Sequence, residues 1–134
     1  MKIAVDARWI LKEASGIGVY TRHLLSALAG ADKENDYVVL FDSPERRSDV
    51  MSDPVLAGSG RFAPELVPFG VFSPMGQLRM PGLLRRMKID VFHSPNYMIP
   101  LLAFPRGGKG RIASVVTIHD VIPMIFPDHA PKSK

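Results

Sequence analysis

Five short, largely apolar runs, most of them closing on polar residues, constrain this chain more than any other feature. Ile3-Ala4-Val5 ends in Asp6 and Arg8, Tyr37-Val38-Val39-Leu40-Phe41 in Asp42, and Ile89-Asp90-Val91-Phe92 in His93-Ser94-Pro95-Asn96-Tyr97. Residues 112–118 form a β-branched run that passes directly into His119-Asp120. Residues 62–69 make a further strand, which Pro64 and Pro68 assign to a sheet edge because proline cannot donate to a ladder. Continuous apolar runs of this length mark strands buried on both faces of a parallel sheet. Between the first two runs, Ile17, Tyr20, Leu24 and Leu28 recur at helical spacing, widened by Leu25, with Arg22 and Ser26 on the other face. Gly30 is predicted to stop this helix, and residues 32–36 to form a solvated turn. Residues 43–60 read as polar and irregular, with a short helix from Pro44. Pro81 is predicted in the first turn of a helix through Lys88 that buries Leu84 and Met87 and exposes Arg85 and Arg86, with residues 74–80 a separate turn. Strands alternating with helices predict an α/β layer around a mostly parallel sheet.

At 134 residues and 46% hydrophobic content, the chain suits one globular core and excludes a disordered tail or a disulfide-stapled miniprotein. It contains no cysteine, which excludes a thiol nucleophile, a thiolate zinc site and an iron–sulfur centre, and fits a reducing compartment. The formal net charge of +4 suits anionic ligands but is insufficient for nucleic acid. The apolar start resembles a signal peptide until Asp6 and Arg8 break it. No apolar run approaches the roughly 20 residues of a membrane span. The expectation is a soluble, cytoplasmic protein. Two basic clusters, Arg85-Arg86-Lys88 and residues 106–111, offer a peripheral contact with an anionic membrane face.

Parallel sheets bind ligands beyond the carboxyl ends of their strands. Asp6, Arg8, Asp42, His93, Asn96, His119 and Asp120 all fall there. Gly16-Ile17-Gly18 opens a helix, so its backbone N–H groups and the helix dipole can hold an anion; the alternative is a loop glycine with Ser15 as helix cap. The run Gly16-Ile17-Gly18-Val19-Tyr20-Thr21 nearly matches the dinucleotide fingerprint, but Thr21 replaces its last glycine and residues 9–15 separate it from the strand. The basic loop at residues 106–111 is rejected as a phosphate-binding P-loop, because no Ser or Thr follows Lys109 and a strand comes next. His119 can hydrogen-bond a sugar hydroxyl or phosphate, and His93 can join it only if their strands are neighbours. No spacing suggests a metal site or a serine nucleophile elbow.

Three stretches carry a family resemblance. Residues 2–8 with Ser15-Gly16-Ile17-Gly18-Val19-Tyr20-Thr21-Arg22-His23-Leu24-Leu25, then Asp90-Val91-Phe92-His93-Ser94-Pro95-Asn96-Tyr97, then Val116-Thr117-Ile118-His119-Asp120-Val121-Ile122-Pro123 resemble group 1 (family 4) glycosyltransferases. Their order resembles the N-terminal, acceptor-side Rossmann-like domain of these two-domain GT-B enzymes. The resemblance implies transfer of a sugar, with retention, from a nucleotide-diphosphate donor to a glycan or lipid-linked acceptor, without a metal or other cofactor. It implies catalytic positions at His119 and Asp120, phosphate or substrate contacts at Gly16, Ile17 and Gly18, and acceptor contacts at His93, Asn96 and Tyr97. The family's donor-binding domain, with its paired glutamates, is missing from residues 1–134. The expectation is therefore a single, truncated domain inactive by itself. A non-catalytic Rossmann-like module binding a nucleotide or sugar phosphate is the alternative, and a nicotinamide-dependent sugar-nucleotide enzyme with Asp42 on a ribose is a third reading.

Overall fold

The computed structural model describes residues 1–11, 13, 15–104, 112–121 and 125. Strands β1 (Lys2–Asp6), β2 (Asp36–Phe41), β3 (Phe62–Leu66), β4 (Val91–Ser94) and β5 (Ala113–Val116) form one sheet in the order β3-β2-β1-β4-β5. Every pairing is parallel. Helices α1 (Gly16–Ala31), α2 (Pro44–Met51), α3 (Pro54–Ser59) and α4 (Pro74–Arg86) cover it. The architecture is the expected Rossmann-like α/β sheet.

The alternating side chains of the strands divide the core in two. Ala4, Val38, Leu40 and Phe92 pack with Met80 and Leu84 of α4. Val5, Val39 and Phe41 pack with Leu25 and Ala29 of α1, Val50 of α2 and Leu56 of α3. The chain steps from β1 through β2 to β3 in one direction and then crosses back to β4. Right-handed crossovers place the returning helix on the opposite face, which is where α4 lies. The reversal also makes β1 and β4 neighbours that are distant in sequence, with Val5 opposite His93. In open parallel sheets such a reversal is where ligands bind, beyond the carboxyl ends of the strands. All four residues of β5 are exposed.

Several local expectations are corrected. Strand β3 lies at the sheet edge as expected but ends at Leu66. Residues 54–59, read as irregular, form α3, where Asp53 Oδ1 caps the N–H groups of Val55 and Leu56. The buried stripe of α1 is Gly18, Thr21, Leu25 and Ala29, displaced from the row of bulky residues, because small side chains let this helix approach the sheet. Gly30 does not stop α1; the helix runs to Ala31, and the Asp32 N–H bonds Leu28 O at 2.8 Å. Asp32 then organises the turn. Its carboxylate accepts from the Tyr37 hydroxyl, the Asn35 amide and the backbone N–H groups of Glu34 and Asn35, which hold it well below the usual carboxylate range.

Residues 74–86 form one helix rather than a turn plus a helix. Pro74 occupies its first turn and Pro81 lies buried inside it. Pro81 has no N–H for the Gln77 carbonyl one turn earlier. Arg85 and Arg86 are exposed and Leu84 is buried, as expected, whereas Met87 is only half-buried and the helix ends at Arg86 rather than Lys88. The helix ends in a Schellman arrangement, with Lys88 N–H to Arg85 O at 3.0 Å and Ile89 N–H to Leu84 O at 3.1 Å. This sets Lys88 at φ 56°, a left-handed conformation that L-residues with a Cβ disfavour. Lys88→Gly is therefore expected to raise stability by about 0.5–1 kcal/mol in urea denaturation. An unchanged or lowered midpoint would count against strain there. The basic loop at residues 106–111 and the chain end at residues 131–134 lie outside the described residues.

Candidate functional site

The carboxyl edge of the sheet gathers the loops after β1, β4 and β5 around the amino end of α1. Ser15, extended at φ −130°, accepts the Gly18 N–H on its hydroxyl at 3.1 Å and starts the helix. The cap and the anion-binding expectation are thus both relevant to this loop. The Gly18 N–H is taken by the cap. The N–H groups of Gly16 and Ile17 are left at the open first turn. Gly18 instead serves packing. A Cβ there would lie 3.2 Å from Ser15 Oγ, 3.5 Å from Ile10 Cα and 3.6 Å from the Trp9 carbonyl. Gly18→Val is expected to destabilise the fold by about 1–3 kcal/mol, measured by urea denaturation. Wild-type stability in that variant would show that α1 can shift away.

Strands β4 and β5 are neighbours, so the two histidines do converge. His93 shares the parity of Val5 and so faces the α1 side of the sheet. Its Nε2 lies 3.0 Å from Thr117 Oγ1, and the Tyr20 hydroxyl lies 3.3 Å from the same oxygen. Thr117 carries one hydroxyl proton, so it can donate to at most one of them. His119 packs edge-on against Tyr20, with ring centroids 5.0 Å apart. Its Nε2 lies 2.7 Å from the Pro95 carbonyl. A carbonyl only accepts, so Nε2 carries the proton and Nδ1 is the acceptor of the neutral ring. Tyr20 and Thr117 thus connect α1 to β4 and β5. In the sequence Tyr20 belongs to the helical stripe and Thr117 to the β-branched run, and both lie in the family segments, but nothing there pairs the two hydroxyls.

Burial pushes the His93 imidazole below its ordinary value. The unfolded chain therefore binds this proton more readily than the folded one. The stabilising effect of the neutral ring is full above the ordinary histidine range and is lost as pH falls towards the depressed folded value. His93→Gln is expected to flatten the pH dependence of the urea midpoint between about pH 7 and 5. An unchanged slope would assign that dependence to other groups.

The remaining residues divide. Tyr97 is 70% exposed at the rim. Asn96 is buried, and its Oδ1 accepts the Tyr97 N–H at 2.6 Å, so that oxygen shapes its own turn. Asp120 is exposed beyond His119. Asp42 at the end of β2 is paired with Arg46 at 2.5 Å, away from the histidines in the sheet order. On the α4 side, Asp6 and Arg8 form a buried bidentate ion pair. No group of three or more His, Cys, Asp or Glu among the described residues is arranged for a metal.

A five-stranded all-parallel sheet with helices on both faces defines a Rossmann-like α/β domain. The family model of glycosyltransferase family 4 matches residues 14–134, and the chain belongs to that family. Searches of curated proteins and of solved structures return no match. No helix among the described residues is long and apolar enough to cross a membrane.

Proposed function

We propose that this chain is the acceptor-side wall of a retaining glycosyltransferase that moves a sugar from a nucleotide-diphosphate donor to a glycan or lipid-linked acceptor. The observation that carries the reading is the convergence of the family segments on one crevice, where the amino end of α1, His93, Thr117 and His119 meet. His119 is fixed through Nε2 and presents Nδ1 to a sugar hydroxyl. Departure of a nucleoside diphosphate develops negative charge, and the N–H groups of Gly16 and Ile17 at a helix amino end suit it. Asp120 stands beside His119 at the same strand end, and Tyr97 at the rim contacts the acceptor. No protein nucleophile and no cofactor is assigned; the nucleotide sugar is a co-substrate.

In this reading a donor-binding domain completes the cleft, and residues 1–134 alone are inactive. Exposed Val115, Val116 and Ile118 at β5 support further chain packing there. A cytoplasmic location, with Arg85, Arg86 and Lys88 near an anionic membrane face, belongs to the same proposal. The Asp42–Arg46 pair and the capped Gly18 N–H both disfavour a nicotinamide site. Calorimetric titration with NAD is expected to show no tight binding. Micromolar NAD affinity would overturn the transferase reading.

A further inference from the structure

A second polar feature lies on the α4 side of the same crevice. It is a small pocket of about 10 Å³ lined by Asp6, Arg8, Trp9, Gly76, Gln77 and Ile99, among others. A single oxygen needs roughly that much room, since about 10–15 Å³ holds one water. Trp9 is 5% exposed, and its indole N–H makes no hydrogen bond among the described residues. A buried donor without a partner is costly and uncommon. The adjacent Arg8 also has donors to spare. Of a guanidinium's five N–H groups, Nε and Nη2 each give one to Asp6 at 2.7 Å, and Nη1 gives one to the Phe69 carbonyl at 3.2 Å. Two remain.

The surrounding framework holds this arrangement open. Gln77 donates to Ile99 O at 3.2 Å and accepts from the Leu101 N–H at 3.0 Å, tying α4 to the loop after β4. Its own polar atoms are thereby satisfied. A Cβ on Gly76 would lie 3.3 Å from Phe69 Cδ2 and 3.8 Å from Arg8 Nη1, so glycine keeps the helix close without filling the pocket. Phe72 stacks edge-on against Trp9 at 5.6 Å and fixes the indole.

From this geometry we infer that the Trp9–Arg8 pocket is a subsite for one hydroxyl oxygen of the acceptor, a specificity-determining contact with Trp9 Nε1 as the principal donor. The inference rests on the acceptor-side reading and extends it. The pocket offers donors, so its occupant is an acceptor oxygen. Asp6 already neutralises Arg8, so a neutral hydroxyl fits better than a phosphate or carboxylate, which would face the Asp6 carboxylate. A sugar with this hydroxyl gives the indole donor the partner it lacks, and one without it gains no bond there.

The chain contains one tryptophan, so its indole N–H gives a single isolated resonance. The test titrates the nitrogen-labelled chain with the methyl α-glycosides of glucose, mannose and galactose, and separately with acetate and inorganic phosphate. At least one glycoside is expected to shift the indole resonance saturably and slow its exchange with solvent. Trp9→Phe, which keeps a ring in the core, is expected to weaken that glycoside about 5- to 10-fold by calorimetry. A glycoside that shifts Tyr97 or His119 while the indole stays still overturns the subsite and leaves the acceptor-side reading standing. Unchanged affinity in Trp9→Phe does the same, and so does a larger indole response to acetate or phosphate. If no glycoside moves any resonance, the subsite and the acceptor-side reading fall together. The wild-type titration stands without the variant, so poor folding of Trp9→Phe leaves the test intact.

Discussion

Asp6→Asn is expected to remove about 3–5 kcal/mol of folding stability, the cost of stranding a buried charge. Asp6 and Arg8 are 2% and 5% exposed, and the carboxylate receives both Nε and Nη2 of the guanidinium at 2.7 Å. Asparagine presents one carbonyl oxygen and no charge, so Arg8 stays cationic under the sheet edge with half of its pairing. A domain of this size has only about 5–15 kcal/mol in total, so the single substitution consumes much of it. Arg8→Met is expected to do comparable harm by leaving the carboxylate alone. The two together cost less than the sum of the singles, because the double variant buries no unpaired charge. Urea denaturation of the four proteins measures this coupling. Additive singles, or a loss below about 1 kcal/mol for Asp6→Asn, would mean that solvent reaches the pair.

The second large effect concerns turnover. In the complete transferase, His119→Ala is expected to lower sugar transfer by about 10- to 1,000-fold, the range for a positioned polar group acting on a reacting hydroxyl or developing charge. The geometry separates catalysis from scaffolding. His119 Nε2 donates to the Pro95 carbonyl, joining the ends of β4 and β5. Gln at position 119 can keep that donor but offers no imidazole acceptor. Recovery of both stability and turnover in His119→Gln would make the residue structural. Recovery of stability alone is the expected result, and it assigns Nδ1 to the reaction.

Strands β1 and β2 were legible because they are written as uninterrupted apolar runs, a pattern that burial produces, whereas β5 is an equally apolar run whose four residues are all exposed. The edge position of β3 was legible from Pro64 for an equally direct reason. The approach of α1 was not, because Gly18, Thr21 and Ala29 form the buried stripe and carry little hydropathy. Pro81 misled because proline usually marks a helix start, and here tertiary packing against the sheet tolerates it inside α4. For the site, polar residues at the ends of β4 and β5 were visible, but their convergence depended on strand order, which local patterning does not encode. Tyr20 and Thr117 became meaningful only once α1 and β5 were placed together. The Trp9 indole read as part of a linker; its buried N–H is a property of the packed edge.

The most direct measurement is transfer of radiolabelled sugar from a panel of nucleotide-diphosphate donors to endogenous glycan and lipid-linked acceptors. It compares residues 1–134 alone with the same residues joined to a donor-binding domain of the family. Transfer by the joined protein and none by residues 1–134 alone is the predicted result. Turnover by residues 1–134 alone, or the absence of transfer from every donor by a folded joined protein, would contradict it.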